Sequence, residues 1–262
     1  MSTVLSVQNL QHQYAGVHAL RGVTFELQQG ECVALIGPNG AGKSTCFACL
    51  AGQQIASSGQ VIWRKQNLMQ VPVTERRALG IGRTFQVAQV FEALTVIQNL
   101  QLVLKAKTGV SALDTLDDAD HDAALAWAQT MGLEKLGLEA LHASAAHLSY
   151  GNKKRLELAM AMAGLPHPDQ GLLLLDEPAA GLSPDERFDM MARIRMLTQQ
   201  GTTVLYTEHN MDAVFGVADR VLVLMEGQLL AQGLPEDMAA HPEVRERYLG
   251  TSFALNERGG HA

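Results

Sequence analysis

The stretch Gly37-Pro38-Asn39-Gly40-Ala41-Gly42-Lys43-Ser44-Thr45 fits the spacing G-x-x-x-x-G-K-[ST]. Its glycines let backbone N–H groups turn inward around a phosphate. Lys43 brings a cation to the β- and γ-phosphates of a nucleotide, and the Ser44 hydroxyl suits Mg²⁺. About 130 residues further on, the aliphatic run Leu172 to Leu175 ends in Asp176-Glu177-Pro178. Asp176 at a strand end suits Mg²⁺, directly or through water, and Glu177 beside it suits polarising an attacking water. Alone, two carboxylates after an apolar strand are an ordinary solvated loop; behind a phosphate loop they point to hydrolysis. A third group is Ser149-Tyr150-Gly151-Asn152, where Ser149 reads as a helix N-cap, followed by Lys153, Lys154 and Arg155 in the early turns. Cations in the first turn are misplaced by about 0.3 to 1 kcal/mol each, unless an anion is held there too. The expectation is a helix mouth that binds phosphate and so accounts for them. The plain alternative is a capped helix with cations paired to carboxylates.

These residues need rigid elements to carry them. Val23, Phe25 and Leu27 alternate with polar neighbours, the period of a strand with one wet face. Cys32 to Ile36 is an almost unbroken apolar run, as in a strand buried on both faces, and Leu172 to Leu175, 202–207 and 220–225 are of the same kind. Between them lie helical patterns. One follows Ser183, with Pro184 at its first position and Glu186 three past the cap, and stops before Gly201. Strands alternating with helices predict an α/β protein with a largely parallel, helix-covered sheet. Residues 1–30 and 57–68 look antiparallel, with a turn signal at Ser57-Ser58-Gly59. Residues 87–147 read as a helical insertion, with a helix start at Thr95, an acidic linker at 113–122 and an alanine-rich helix around Trp127.

Composition narrows the partners. The 262 residues carry a formal net charge of −7, which lacks the basic footprint that nucleic acid demands. No run approaches the roughly 20 apolar residues of a membrane-spanning helix, and the start has no signal-peptide pattern. The chain therefore reads as unexported, with other chains supplying the membrane if it works at one. The three cysteines suit a reducing compartment. Cys46 and Cys49 form a C-x-x-C without a second pair, so the reading is helix packing over zinc. Within the tail at 251–262, residues 256–262 are the best candidate for fraying.

The phosphate loop, the segment Gly80-Ile-Gly-Arg-Thr-Phe-Gln86, the helix start at 149, the Asp-Glu-Pro and a late histidine, in that order, resemble the nucleotide-binding subunit of an ABC transporter over essentially the whole chain. The resemblance implies a P-loop NTPase (RecA-like) core with an antiparallel β-subdomain (1–86 and 164–250) and a helical subdomain carrying the signature motif (87–163). It also implies a head-to-tail dimer, a homodimer or a pair of related ATPases, with two ATP molecules in the interface. By position, Tyr14 would stack on adenine, Gln86 would touch Mg²⁺ and the attacking water, and His209 would contact the γ-phosphate of ATP bound in cis. Ser149 and Gly151 would grip that of the opposite subunit. Each has a bland alternative: Tyr14 packing, Gln86 capping a strand end, His209 preceding a helix start at Asn210. The signature departs from the usual LSGGQ at Tyr150, expected to point outward, and at Asn152. Which side chain of 179–186 crosses to the partner stays open. Softer likenesses at 80–86, 177–186, 208–224 and 241–250 suggest the importers of branched-chain amino acids, with urea and amide importers nearby. These would work at the cytoplasmic face of a bacterial inner membrane with a permease and a solute-binding protein. A lipopolysaccharide-export ATPase, a non-transport ABC ATPase and a P-loop kinase or GTPase are the alternatives.

Overall fold

The computed structural model describes residues 2–108 and 120–249. The tail and most of the acidic linker lie outside the described residues. In chain order the elements are β1 (Thr3–Tyr14), β2 (Val17–Gln28), β3 (Cys32–Ile36), α1 (Lys43–Ala51), β4 (Ser58–Trp63), β5 (Gln66–Asn67) and α2 (Val73–Arg76). Then come β6 (Ile81–Arg83), α3 (Val96–Thr108), α4 (His121–Thr130), α5 (Leu138–Leu141), α6 (Tyr150–Ala163) and β7 (Leu172–Asp176). The last part holds α7 (Pro184–Gln199), β8 (Thr203–Thr207), α8 (Met211–Phe215), β9 (Arg220–Met225), β10 (Gln228–Gly233), α9 (Pro235–Ala240) and α10 (Pro242–Val244).

The strands make two sheets. One is four-stranded and antiparallel, in the order β2-β1-β4-β5; the other runs β10-β9-β3-β8-β7-β6. In the second sheet every pairing is parallel except that of the edge strand β10 with β9. Strands β3, β7 and β8 are almost wholly buried along their length, which is why their sequences are continuous apolar runs.

Because side chains alternate across a sheet, each of these strands serves two cores. Val33, Leu35, Leu172, Leu174, Leu205 and Leu222 face Phe47 and Leu50 of α1 and the inner side of the antiparallel sheet. Cys32, Ala34, Leu173, Leu175, Val204 and Tyr206 belong to the other cluster, with α3, α4, α6 and α7. Each fully buried leucine contributes about 1.5–3 kcal/mol, so the central strands are the most strongly specified part of the fold.

The local signals hold at several ends. Ser183 and Glu186 form the capping box of α7, with Pro184 at its first position. Thr95 Oγ1 accepts from the Gln98 N–H while Gln98 returns the bond to the Thr95 N–H, at the head of α3. Between residues 87 and 147 the described elements are helical, with α4 spanning Trp127. One reading needs correction, and two strands went unread. Ser58 and Gly59 open strand β4 and pair with β1 instead of forming a turn. Two strands carried no readable signal: β6, three residues with a central glycine, and β10, whose half-exposed pattern has no clear period.

Candidate functional site

The parallel strands bring their carboxyl ends to one edge of the sheet, where ligand sites of such sheets form. Strand β8 lies between β3 and β7, and Thr207 at its end pairs with Leu35 on one side and Asp176 on the other. The phosphate loop leaves β3 at Gly37, the carboxylates leave β7 at Asp176, and Thr207 stands between them. A cleft of about 320 Å³ opens there, lined by Tyr14, residues 39–45, Asp176, Glu177, Thr207 and His209.

The loop's glycines are needed sterically. Gly42 caps α1 at φ 103°, and a Cβ there would lie 2.5 Å from the Ala19 carbonyl oxygen. Gly40, at φ 79°, would direct a Cβ into open space, the cradle that a phosphate needs. Lys43, mostly buried, donates from Nζ to the carbonyls of Gly37 (2.6 Å) and Pro38 (3.1 Å), which ties the loop across its mouth. Burial pushes its pKa down, opposed by the nearby charges of Glu177 and Asp176. An anion entering the cleft therefore meets a partly desolvated cation in a glycine-lined loop. Tyr14, at the end of β1, is half-exposed and packs edge to face on His12, with 4.3 Å between ring centroids.

The two carboxylates are held differently. Asp176 Oδ1 accepts from Thr207 Oγ1 at 2.8 Å, and Oδ2 lies 3.6 Å from Arg83. Glu177 is a non-glycine residue at φ 47°, a left-handed conformation that costs about 1–3 kcal/mol and persists only where surrounding bonds enforce it. They do. Its N–H donates to Thr207 Oγ1 at 3.0 Å, and its carbonyl accepts from Lys154 Nζ at 2.9 Å. Its carboxylate is then presented between two side chains, accepting from Gln86 Nε2 on Oε2 (3.1 Å) and meeting His209 Nε2 at Oε1 (2.9 Å). Gln86 thus joins the site through Glu177, although it does not line the cleft itself.

The helix at 149 forms as read: Ser149 Oγ accepts from the Asn152 N–H at 3.3 Å. Ser149 is exposed, Gly151 is buried, and neither lines the cleft of its own chain. The explanation of the three cations by a phosphate at the helix mouth is not borne out, because each has partners within the chain. Lys153 pairs with Glu92 (2.5 Å), Lys154 is turned inward to the Glu177 carbonyl, and Arg155 bonds Asp189 (3.0 Å) and Asn152 (3.1 Å). Long side chains leaving the first turns reach neighbouring elements, so their charges sit away from the N–H groups of the helix end. Tyr150 is exposed, as expected, and its side chain is also tied down. Its hydroxyl donates to the Gln86 carbonyl at 3.0 Å, and its ring lies 5.7 Å from Lys154 Nζ. As for the bland alternatives, Asn210 does cap α8, accepting from Ala213 N–H at 2.9 Å, and this coexists with the contact of His209 to Glu177. Cys46 and Cys49 are buried free thiols, their pKa raised by desolvation, and no metal-binding cluster of His, Cys, Asp or Glu occurs among the described residues.

Several site residues escaped the sequence reading. Thr207 links both carboxylates. Glu208, buried, accepts from the Ala179 N–H at 2.8 Å and fixes the loop after Glu177; burial raises its pKa. Glu157, buried on α6, accepts from the N–H groups of Phe85 (3.2 Å) and Gln89 (3.0 Å), and so anchors the loop carrying Gln86. Desolvation lifts its pKa to about 7, against those hydrogen bonds and Lys154. Thr207 and Glu208 immediately before the His209-Asn210 pair were the available signal for those two; their partners were not legible.

A phosphate loop between a buried parallel strand and a helix, with a carboxylate pair on the strand two places away, defines a P-loop nucleotide-binding ATPase. The ABC transporter family profile matches residues 20–180. The chain is 38% identical, over 94% of its length and 98% of the relative's, to the high-affinity branched-chain amino acid transport ATP-binding protein LivG of Escherichia coli (strain K12). It is 37% identical over the same shares to the protein of that name from Salmonella typhimurium. Among solved structures it superposes on the ADP conformation of MJ1267, an ATP-binding cassette of an ABC transporter, with a TM-score of 0.82 and 25% identity, covering 95% of this chain and all of that one. The chain belongs to the ABC transporter family, as an ATP-hydrolysing subunit that binds nucleotide. No helix among the described residues is long and apolar enough to cross a membrane.

Proposed function

We propose that the chain powers uptake of branched-chain amino acids, or a similar small polar solute, through a separate permease at the cytoplasmic face of a bacterial inner membrane, fed by a solute-binding protein. The likeness to the LivG proteins supports this reading along nearly the whole chain. In the cleft, Tyr14 stacks on the adenine, residues 37–45 wrap the phosphates, and His209 contacts the γ-phosphate. Ser149 and Gly151 complete the cleft of the partner subunit, which accords with their lying outside their own. Residues 1–86 and 164–250 act as the core with its β-subdomain, and 87–163 as a helical subdomain.

The oxygen donors Ser44, Asp176 and Gln86 fit a hard divalent cation. With Gln86 Nε2 turned to Glu177, its amide oxygen is the atom left to face the metal. A Mg²⁺ held by them would neutralise charge on the β- and γ-phosphates. The observation that carries the hydrolytic reading is Glu177, strained, clamped at both ends of its peptide and presented at the lip of the cleft between Gln86 and His209. There it orients and accepts a proton from an attacking water, the main task left to protein in a reaction governed by positioning and charge. Affinity capture from detergent-solubilised membranes of the source cell, with identification of the permease, is the test. Recovery of an amino-acid permease together with loss of leucine uptake on deleting the gene is expected; recovery of a lipid-export permease would refute the import reading.

A further inference from the structure

Lys154 neither lines the cleft nor touches the proposed metal donors, yet it is 3% exposed and lies among four carboxylates. Burial lowers its pKa, and the charges of Glu157, Glu208, Glu177 and Asp176 oppose that. An ammonium held this deep is costly unless its donors are used. Its assigned hydrogen bond does not go to a carboxylate. It goes to the backbone carbonyl of Glu177, a residue whose left-handed peptide must be enforced from outside.

We propose that Lys154 is a positioning residue that links the signature helix of the chain to its own hydrolytic carboxylate. Tyr150, Lys154 and Glu157 follow one another at helical spacing and so share a face of α6. From that face Tyr150 bonds the Gln86 carbonyl, Glu157 bonds the N–H groups of Phe85 and Gln89, and Lys154 bonds the Glu177 carbonyl. The two groups that flank the attacking water, Gln86 and Glu177, therefore both hang from α6. In the function proposed above, the mouth of the same helix, at Ser149, meets the nucleotide of the partner. A displacement of α6 when that nucleotide binds or leaves is passed through Lys154 to Glu177 of the other site. The state of one cleft thereby sets the geometry of water activation in the second. This inference rests on the roles of Glu177 and Ser149 proposed above.

The test compares Lys154→Met, which keeps length but loses charge and donors, with Lys154→Arg, which keeps both. Steady-state phosphate release, binding of a fluorescent ATP analogue and thermal unfolding are measured on the full chain with its permease. Lys154→Met is expected to lower kcat at least about 10-fold, since small misplacements at a reacting centre are costly, while KM for ATP stays within about twofold, and Lys154→Arg is expected to recover most of kcat. Should Lys154→Met fail to fold, Lys154→Met/Glu157→Gln, which also removes the Glu157 charge and keeps an acceptor oxygen for the N–H groups of Phe85 and Gln89, carries the same readout. A folded variant with kcat within about twofold of wild type overturns the proposal. So does a parallel fall in kcat, nucleotide affinity and melting temperature that arginine does not rescue, or failure of both variants to fold. Wild-type turnover of Glu177→Gln would instead remove the catalytic reading beneath it, so the two failures are distinguishable.

Discussion

Replacing Glu177 by glutamine exchanges one carboxylate oxygen for an amide nitrogen and leaves the shape of the side chain intact. In the native site Oε2 accepts from Gln86 and Oε1 meets His209 Nε2. The glutamine satisfies both by turning its oxygen to Gln86 and its nitrogen to His209 in the tautomer protonated on Nδ1. The peptide clamps from Thr207 and Lys154 are backbone bonds and persist. Stability should thus change by less than about 1 kcal/mol, the net worth of an exposed hydrogen bond. Activity should change far more, because the amide accepts no proton. Loss of a positioned general base costs about 10²- to 10⁴-fold, or ~3–5.5 kcal/mol of barrier. Phosphate release at saturating ATP measures the rate, and size-exclusion chromatography with ATP reports a dimer that persists without turnover. Wild-type turnover, or a rate loss matched by a large fall in melting temperature, would refute the assignment.

Ser149→Arg should leave ATP binding by the monomer intact and block nucleotide-dependent dimerisation, beyond the ~1 kcal/mol lost with the cap; equilibrium binding and analytical ultracentrifugation separate the two. Glu157→Gln tests the raised pKa. A carboxyl whose folded pKa exceeds its unfolded value stabilises the fold below about pH 4.5 and loses that contribution as pH rises through about 7. Urea titrations should therefore show the variant gaining on wild type between about pH 4.5 and 7, with a flat difference above that window. Arg76→Met removes donors to the carbonyls of Cys49, Leu50, Leu68 and Val71 around the end of α1, a buried cluster worth roughly 3–5 kcal/mol. Thermal unfolding should fall markedly, while the KM for ATP of the folded fraction stays near wild type.

The sequence by itself determined the chemistry and much of the frame. The spacing of 37–45 allows few readings, the apolar runs at Cys32, Leu172, Thr203 and Arg220 became the parallel strands, and the caps at Ser149, Ser183 and Thr95 formed as their residue types require. Such features are local: a strand buried on both faces, a capping box or a phosphate loop is written in adjacent residues. Strands β6 and β10 were not legible because one is too short to show a period and the other lies at a sheet edge. Only the tertiary structure decided where the cations of α6 go. Lys154 meets a carbonyl 23 residues away and Lys153 a carboxylate 61 away, and no periodicity encodes pairings of that kind. The same holds for the strain at Glu177. Its left-handed peptide contradicts the local preference of glutamate, and it exists because Thr207 and Lys154, delivered by two other elements, hold it from both sides.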